Sequence, residues 1–251
     1  MRCGRAALCV GLVLGAVVGS APAEGQGLGP WRRVDHVVAE VGPAVITRSE
    51  LEAEARLALL RARGPDVART AGLSEALLVS VLRGMVQREL LLAEARRLQI
   101  REASQDEVRV RARALLATFE SEADALRFFE RVGFSLPALE DAERTPPGLL
   151  DLLRAEVQLE RFVELRVRPT SVVRTADVAA CYQADPGQFG GRTLEEARAD
   201  IEAAIRETAG DRALAGLLVQ LARRTPVRVA RGLELGAIAA SPRSLQGIVC
   251  P

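Results

Sequence analysis

Two short stretches of alternating apolar residues near the N-terminus meet at a Gly42-Pro43 turn and lead straight into a helical pattern. Within residues 34–41, apolar side chains fall on both faces of a period-2 strand, so other elements must pack on both sides of this strand. The return strand is short because Thr47 and Glu50 have the spacing of a capping box that starts a helix. A hairpin with one helix is too small to be stable alone, so the remaining chain must pack over it.

Apolar residues recur at helical spacing through most of the later chain, and capping residues mark where helices begin. The predicted starts are Arg48, Ser74, Ser104, Ser121, Ser135, Leu149, Thr175 and Thr193. The helix after Ser74 carries leucine at each of 90–92, so it should be central. We expect 64–72 to be a polar, mobile loop. The last helix runs to about Arg223, and Gly210 would allow it to bend.

Residues 225–230 alternate again and predict a closing strand after the long last helix. This strand is a natural partner for the unpaired edge of the hairpin, which would bring the two ends of the domain together. The tail, 231–251, lacks periodicity, so we assign it no element and its composition would allow disorder. The predicted fold is therefore mainly α with a small β element: an N-terminal hairpin, multiple helices, a long C-terminal helix and a closing strand.

The first 23 residues have the composition of a secretory signal peptide. Two arginines precede an uncharged run, 6–18, and the small residues that follow predict cleavage after Ala23. The run is shorter than the ~20 apolar residues that span a bilayer, and no later stretch is long and uncharged enough. We therefore expect secretion without stable membrane insertion, with 24–33 as a flexible lead-in.

Charge and composition exclude several classes of function. The formal net charge is only +1, and loss of the leader would remove two arginines, so there is no basic excess for nucleic acid. His36 is the single histidine, which leaves no set for nucleophilic catalysis and no Cys/His spacing for zinc. Glycine-rich phosphate loops are also missing. We expect no catalytic residue, no cofactor and no metal, and interpret His36 as structural or surface-exposed.

Cys181 and Cys250 are the cysteines that remain after the predicted leader. An oxidising compartment would permit one bridge between them, but two distant cysteines are not a disulfide framework. The sequence favours Cys181 as a small buried residue and Cys250 as part of the tail. It leaves open whether they form a bond, and it leaves the oligomeric state open as well.

Several segments together resemble the chaperone domain of the SurA-like periplasmic folding factors. They are the hairpin, ITRSEL at 46–51, LLLAEA at 90–95, TADVAACY at 175–182, the long late helix and the closing strand. The resemblance covers about 34–230 and implies one domain that binds unfolded outer-membrane proteins. In that family a parvulin-type prolyl isomerase domain is inserted between the early helices and the last one. Only 183–192 lie at that point here, too few residues for a domain with its own core.

The resemblance implies a periplasmic holdase for unfolded or extended client chains, which needs no catalytic residue. Phe128, Phe129 and Phe134 form the aromatic cluster of the chain and are candidates for peptide contact, although burial is the commoner role of phenylalanine. They fail as candidates if all three are fully buried. Two alternatives stay open: an accessory or structural subunit of an envelope assembly, and a degenerate peptidyl-prolyl isomerase.

Overall fold

The computed structural model describes residues 35–134, 148–167, 172–239 and 250. Several predictions lie outside these residues: the signal peptide 1–23 with cleavage after Ala23, the lead-in 24–33 and the helix from Ser135. The predicted tail, 231–251, lies partly outside them.

The described chain is mainly helical, with a small antiparallel sheet, and this confirms the predicted fold class. The elements are β1 (Val37–Val41), β2 (Ala44–Thr47), α1 (Arg48–Arg63), α2 (Pro65–Thr70), α3 (Glu75–Arg97), α4 (Gln105–Leu116), α5 (Glu122–Val132), α6 (Leu149–Arg166), α7 (Thr175–Ala184), α8 (Leu194–Arg224) and β3 (Val227–Val229). A 3-10 turn at Pro186–Phe189 joins α7 to α8.

The sheet has the order β2-β1-β3, so the first strand of the hairpin lies in the middle. Val41 pairs with Ala44 of β2 on one side and with Val227 of β3 on the other. The predicted pairing of the closing strand with the hairpin edge is therefore confirmed. Gly42 makes the hairpin turn with a φ of +57°, a conformation that glycine adopts without strain. A side chain there would also approach Thr225.

Capping residues start the helices largely where the sequence predicts. Thr47, Ser104 and Thr193 each accept a hydrogen bond from the backbone of a glutamate three residues on, and each glutamate accepts one in return. The prediction that Thr175 caps α7 is wrong. The cap is Arg174, whose backbone N–H donates to Asp177 at 3.1 Å, so Thr175 is already helical.

The predicted mobile loop at 64–72 is also wrong, because α2 occupies most of it. Gly64 ends α1 with a φ of +83°, and Pro65 then starts a new helix at a position where its missing N–H costs nothing. Ala68 is fully buried. Arg56 of α1 donates to the carbonyls of Ala68 and Ala71 at 2.9 and 2.5 Å, which holds α2 against α1.

Helix α1 lies between two buried clusters and presents a different face to each. Leu51 and Ala55 pack with the sheet, α3 and the last third of α8. Leu57 and Leu60 pack with α4, α5 and the start of α6. All three leucines at 90–92 are buried, which confirms that α3 is central.

A third, smaller cluster joins α7, the 3-10 turn and the start of α8. It contains Cys181, Phe189 and Ile201, each at most 2% exposed. Cys181 is bonded to Cys250. The sequence favoured Cys181 as a buried residue, which is correct, and it left open the bond to Cys250 in the tail, which the structure contains.

The described part of the tail is packed rather than disordered. Leu235 is buried among residues of α3 and α8. Arg83 and Gln87 of α3 donate to the carbonyls of Leu235 and Ile238, at 2.8 and 2.5 Å. The absence of periodicity gave no hint of this, because the tail is held through its backbone carbonyls rather than through an amphipathic face.

Candidate functional site

A cleft of about 590 Å³ opens between the hairpin and the helical part of the molecule. One wall is formed by β2 and the first two turns of α1, and the other by α3 and the start of α6. The residues that line the cleft include Asp35, Val45, Ile46, Ser49, Glu50, Ala53, Glu54, Met85, Arg88, Glu89, Leu92, Arg96, Phe134, Asp151 and Leu152. The volume lies within the range of protein sites that enclose a ligand.

The apolar lining comes from all four elements. Ile46, Met85 and Leu92 are buried at its base, whereas Val45 at its edge is 51% exposed. Val45 lies on β2, whose second edge is unpaired in the described sheet. The cleft therefore offers both an apolar surface and a free strand edge, the two features by which extended peptides are commonly bound.

Polar groups at the start of α1 are engaged with one another. The Asp35 carboxylate accepts hydrogen bonds from the Ser49 hydroxyl and from the Ser49 backbone N–H, the latter at 3.1 Å. The hydrogen bond from the Ser49 hydroxyl is the main reason that the pKa of Asp35 is lowered to about 2. A carboxyl with so low a pKa is a weak base. Asp35 is therefore poorly suited to activate the Ser49 hydroxyl as a nucleophile. Glu50 is engaged with Thr47 in the capping box.

Behind this edge Arg88 of α3 meets Glu54 of α1 in a two-pronged ion pair, one contact of which is 2.7 Å long. The two side chains are only 17% and 16% exposed. Burial alone would lower the pKa of Arg88, but the Glu54 carboxylate raises it above its ordinary value. This pair joins α1 to α3 across the back of the cleft.

Glu89, the next residue of α3, is different. Its side chain is half-buried, and burial raises the pKa of its carboxyl above the ordinary value. None of the hydrogen bonds or ion pairs within the described ranges reaches this carboxylate. Sequence reasoning missed both Arg88 and Glu89. The signal was available, since these adjacent charges interrupt an apolar run on a helix predicted to be central.

The aromatic candidates are in the core. Phe128, Phe129 and Phe134 are 3%, 0% and 7% exposed. Phe129 makes edge-on contacts with the other two, at ring distances of 5.3 and 6.2 Å. This burial counts against Phe128 and Phe129 as peptide contacts, because α5 turns its apolar face onto α1, α4 and α6. Peptide contact at the three residues stays a prediction. Phe134 alone reaches the lining of the cleft.

Other chemistry is sparse in the described ranges. His36 is exposed, and its backbone N–H donates to Asp35. Within 35–134, 148–167, 172–239 and residue 250, histidine, cysteine and acidic side chains form no cluster of three suited to a metal. No described helix combines the length and the apolar character needed to cross a membrane.

Comparison with known families gives a match for the part of the chain that forms most of the cleft. Residues 5–123 match the family of SurA-like N-terminal domains. The matched residues make up slightly less than half of the chain, and the match shows what this part of the chain is similar to. No curated protein matches the chain closely enough to be counted as similar.

The SurA-like segment contains the hairpin and α1 to α4, and therefore most of the cleft, including Glu54, Arg88 and Glu89. The start of α6, with Asp151 and Leu152, completes the cleft from outside the matched residues. The point where the resemblance puts a parvulin insertion, 183–192, contains the end of α7, the 3-10 turn and the residues that lead into α8. No further domain is inserted there.

Proposed function

We propose that the protein is a periplasmic holdase that binds unfolded or extended client chains, outer-membrane proteins among them, in the cleft between the hairpin and α3. The observation that carries the proposal is the cleft itself: an apolar base beside the free edge of β2, within a SurA-like domain. Such a site can hold a chain by side-chain burial and by main-chain hydrogen bonds without selecting one sequence.

The proposed location rests on two supports. The predicted signal peptide at 1–23 would direct export, and the bond between Cys181 and Cys250 suits an oxidising compartment. We also propose that 34–230 form the chaperone domain, because β3 completes the sheet that begins with β1 and α8 packs on α3.

The test is light scattering of a denatured outer-membrane protein diluted into buffer, with and without an equimolar amount of the chain. A holdase suppresses scattering by lowering the concentration of free unfolded chain. Val45→Gln should weaken suppression, because it places an amide at the exposed apolar edge of the cleft. Val110→Gln is the matched control: Val110 is 62% exposed on α4, away from the cleft.

Three outcomes would contradict the proposed function or its place in the cleft. If the wild-type chain leaves scattering unchanged, and one stoichiometric partner is recovered from envelope extracts, the protein is an accessory subunit. If it accelerates isomerisation of a proline-containing peptide, it is an isomerase and the holdase interpretation is incomplete. Equal suppression by Val45→Gln and Val110→Gln would place client binding outside the cleft.

A further inference from the structure

Glu89 is a charged side chain in an environment that does not favour its charge. It lies on the central helix, lines the cleft and is half-buried. The described residues give its carboxylate neither a hydrogen bond nor an ion pair. A carboxylate withdrawn from water without a partner lowers the stability of the folded state, and the raised pKa of Glu89 reflects this.

The charges around Glu89 do not compensate it. Arg88 attracts Glu89 but is already engaged by Glu54, and both Glu54 and Glu50 lie close enough to repel a second carboxylate. Arg96, seven residues further along α3, attracts Glu89 but is itself exposed to solvent, where such attraction is screened. On the facing wall, Asp151 is paired with Arg154.

The lining as a whole is therefore acidic and keeps one carboxylate available. Its acids are Asp35, Glu50, Glu54, Glu89 and Asp151, and its bases are Arg88 and Arg96. Apart from Glu89, each of these acids is engaged by a neighbouring group. A charged side chain that lowers the stability of the fold and has no partner among the described residues is typical of a binding residue rather than of a structural one.

We propose that the cleft takes an extended client segment in which a lysine or arginine is flanked by apolar residues, and that Glu89 pairs with the cation. This inference rests on the proposed function and specifies its ligand. The apolar base formed by Ile46, Met85 and Leu92 contacts the flanking side chains. The cationic side chain lays its apolar stem along the same surface and carries its charge to Glu89.

The test uses two fluorescent ten-residue peptides with blocked ends that differ at one central residue. One has lysine between leucine and alanine residues, and the other has norleucine in its place, which keeps the stem and removes the charge. Binding is measured by anisotropy at low salt. The wild-type chain should bind the lysine peptide more tightly. Glu89→Gln should lower that affinity roughly 10-fold and leave the affinity for the norleucine peptide unchanged.

Glu120→Gln is the matched control for net charge, since Glu120 is exposed in the loop after α4 and lies outside the cleft. It should leave both affinities unchanged. Thermal unfolding at pH 7 shows that the variant is folded: Glu89→Gln should raise the melting temperature, because it removes an uncompensated charge. A weaker affinity in a more stable protein cannot be the result of misfolding.

The outcomes separate the two proposals. If Glu89→Gln binds both peptides as the wild type does while the wild type still suppresses aggregation, the holdase proposal stands and the role of Glu89 is wrong. The same holds if both peptides lose affinity equally, or if Glu89→Gln alters self-association in sedimentation instead, which would make the occupant a second copy. If the wild type binds neither peptide and suppresses no aggregation, both proposals are wrong.

Discussion

Arg88 of α3 and Glu54 of α1 form a two-pronged ion pair with less than a fifth of either side chain exposed. The pair links α1, the helix that follows the hairpin, to the central helix α3, directly behind the cleft. The geometry of the cleft therefore depends on a partly buried pair, where loss of one partner costs more than the pair contributes.

We expect Glu54→Gln to lower the free energy of unfolding by about 2 kcal/mol, because it leaves the Arg88 guanidinium withdrawn from water without its counter-charge. Urea unfolding followed by circular dichroism measures the change. Glu52→Gln is the control on the same helix: Glu52 pairs with Arg48, but both side chains are at least 40% exposed. Its loss should be below about 0.5 kcal/mol. Equal losses would mean that burial does not govern these pairs.

The lowered pKa of Asp35 predicts that the stability of the folded state depends on pH. Its folded pKa of about 2 lies below the ordinary 3.8, so its ionised form favours the folded state. This contribution is present above about pH 4 and is lost as the pH falls through 2. Asp35→Asn should reduce stability at pH 6, by less than about 1 kcal/mol because Asp35 is exposed, and by less still at pH 2.5.

Ser49→Ala should reproduce much of the loss at pH 6, because the Ser49 hydroxyl is the main cause of the lowered pKa. The measurement is the urea midpoint at both pH values. If Asp35→Asn lowers the midpoint equally at pH 2.5 and pH 6, its effect comes from the shape of the side chain rather than from its charge.

Much of the fold could be predicted because it is coded locally. Thr47 with Glu50, and Thr193 with Glu196, define helix starts through contacts within four residues. The pairing of β3 with β1 followed from the unpaired edge of a hairpin. The cleft could not be predicted in the same way, since it exists only where α6 approaches α3 and the hairpin.

Errors at particular residues have similar causes. The 64–72 loop was predicted from Gly64-Pro65, but the same dipeptide both ends α1 and starts α2. Phe128 and Phe129 gave no sign of whether their face meets solvent or another helix, because an amphipathic pattern does not name its partner. Glu89 differs: a charge next to an apolar run was visible in the sequence, but the fact that no described residue pairs with its carboxylate is a property of the fold.

The bond between Cys181 and Cys250 closes a loop of 69 residues. Its loss should lower stability by about 2–4 kcal/mol, mainly because the unfolded chain regains freedom. Cys250→Ser tests this without opening a hole at buried Cys181, and a reducing agent should have no further effect on that variant. Hydrogen exchange should become faster at Val178 and Ile201 in the small cluster and stay slow at Leu90 in α3. Faster exchange at Leu90 as well would mean that the bond supports the whole fold.

Gly210 lies within α8, which runs without interruption from Leu194 to Arg224. An added Cβ would meet nothing within 4 Å. Gly210→Ala should therefore raise the free energy of unfolding by about 1 kcal/mol, through helix propensity alone. Gly133→Ala is the opposing control, because Gly133 ends α5 with a φ of +94°, and a side chain there should lower stability by about 1 kcal/mol. Urea unfolding of both variants measures the two opposite changes in the free energy of unfolding. A destabilising Gly210→Ala would require α8 to bend at this residue in solution, as the sequence alone allowed.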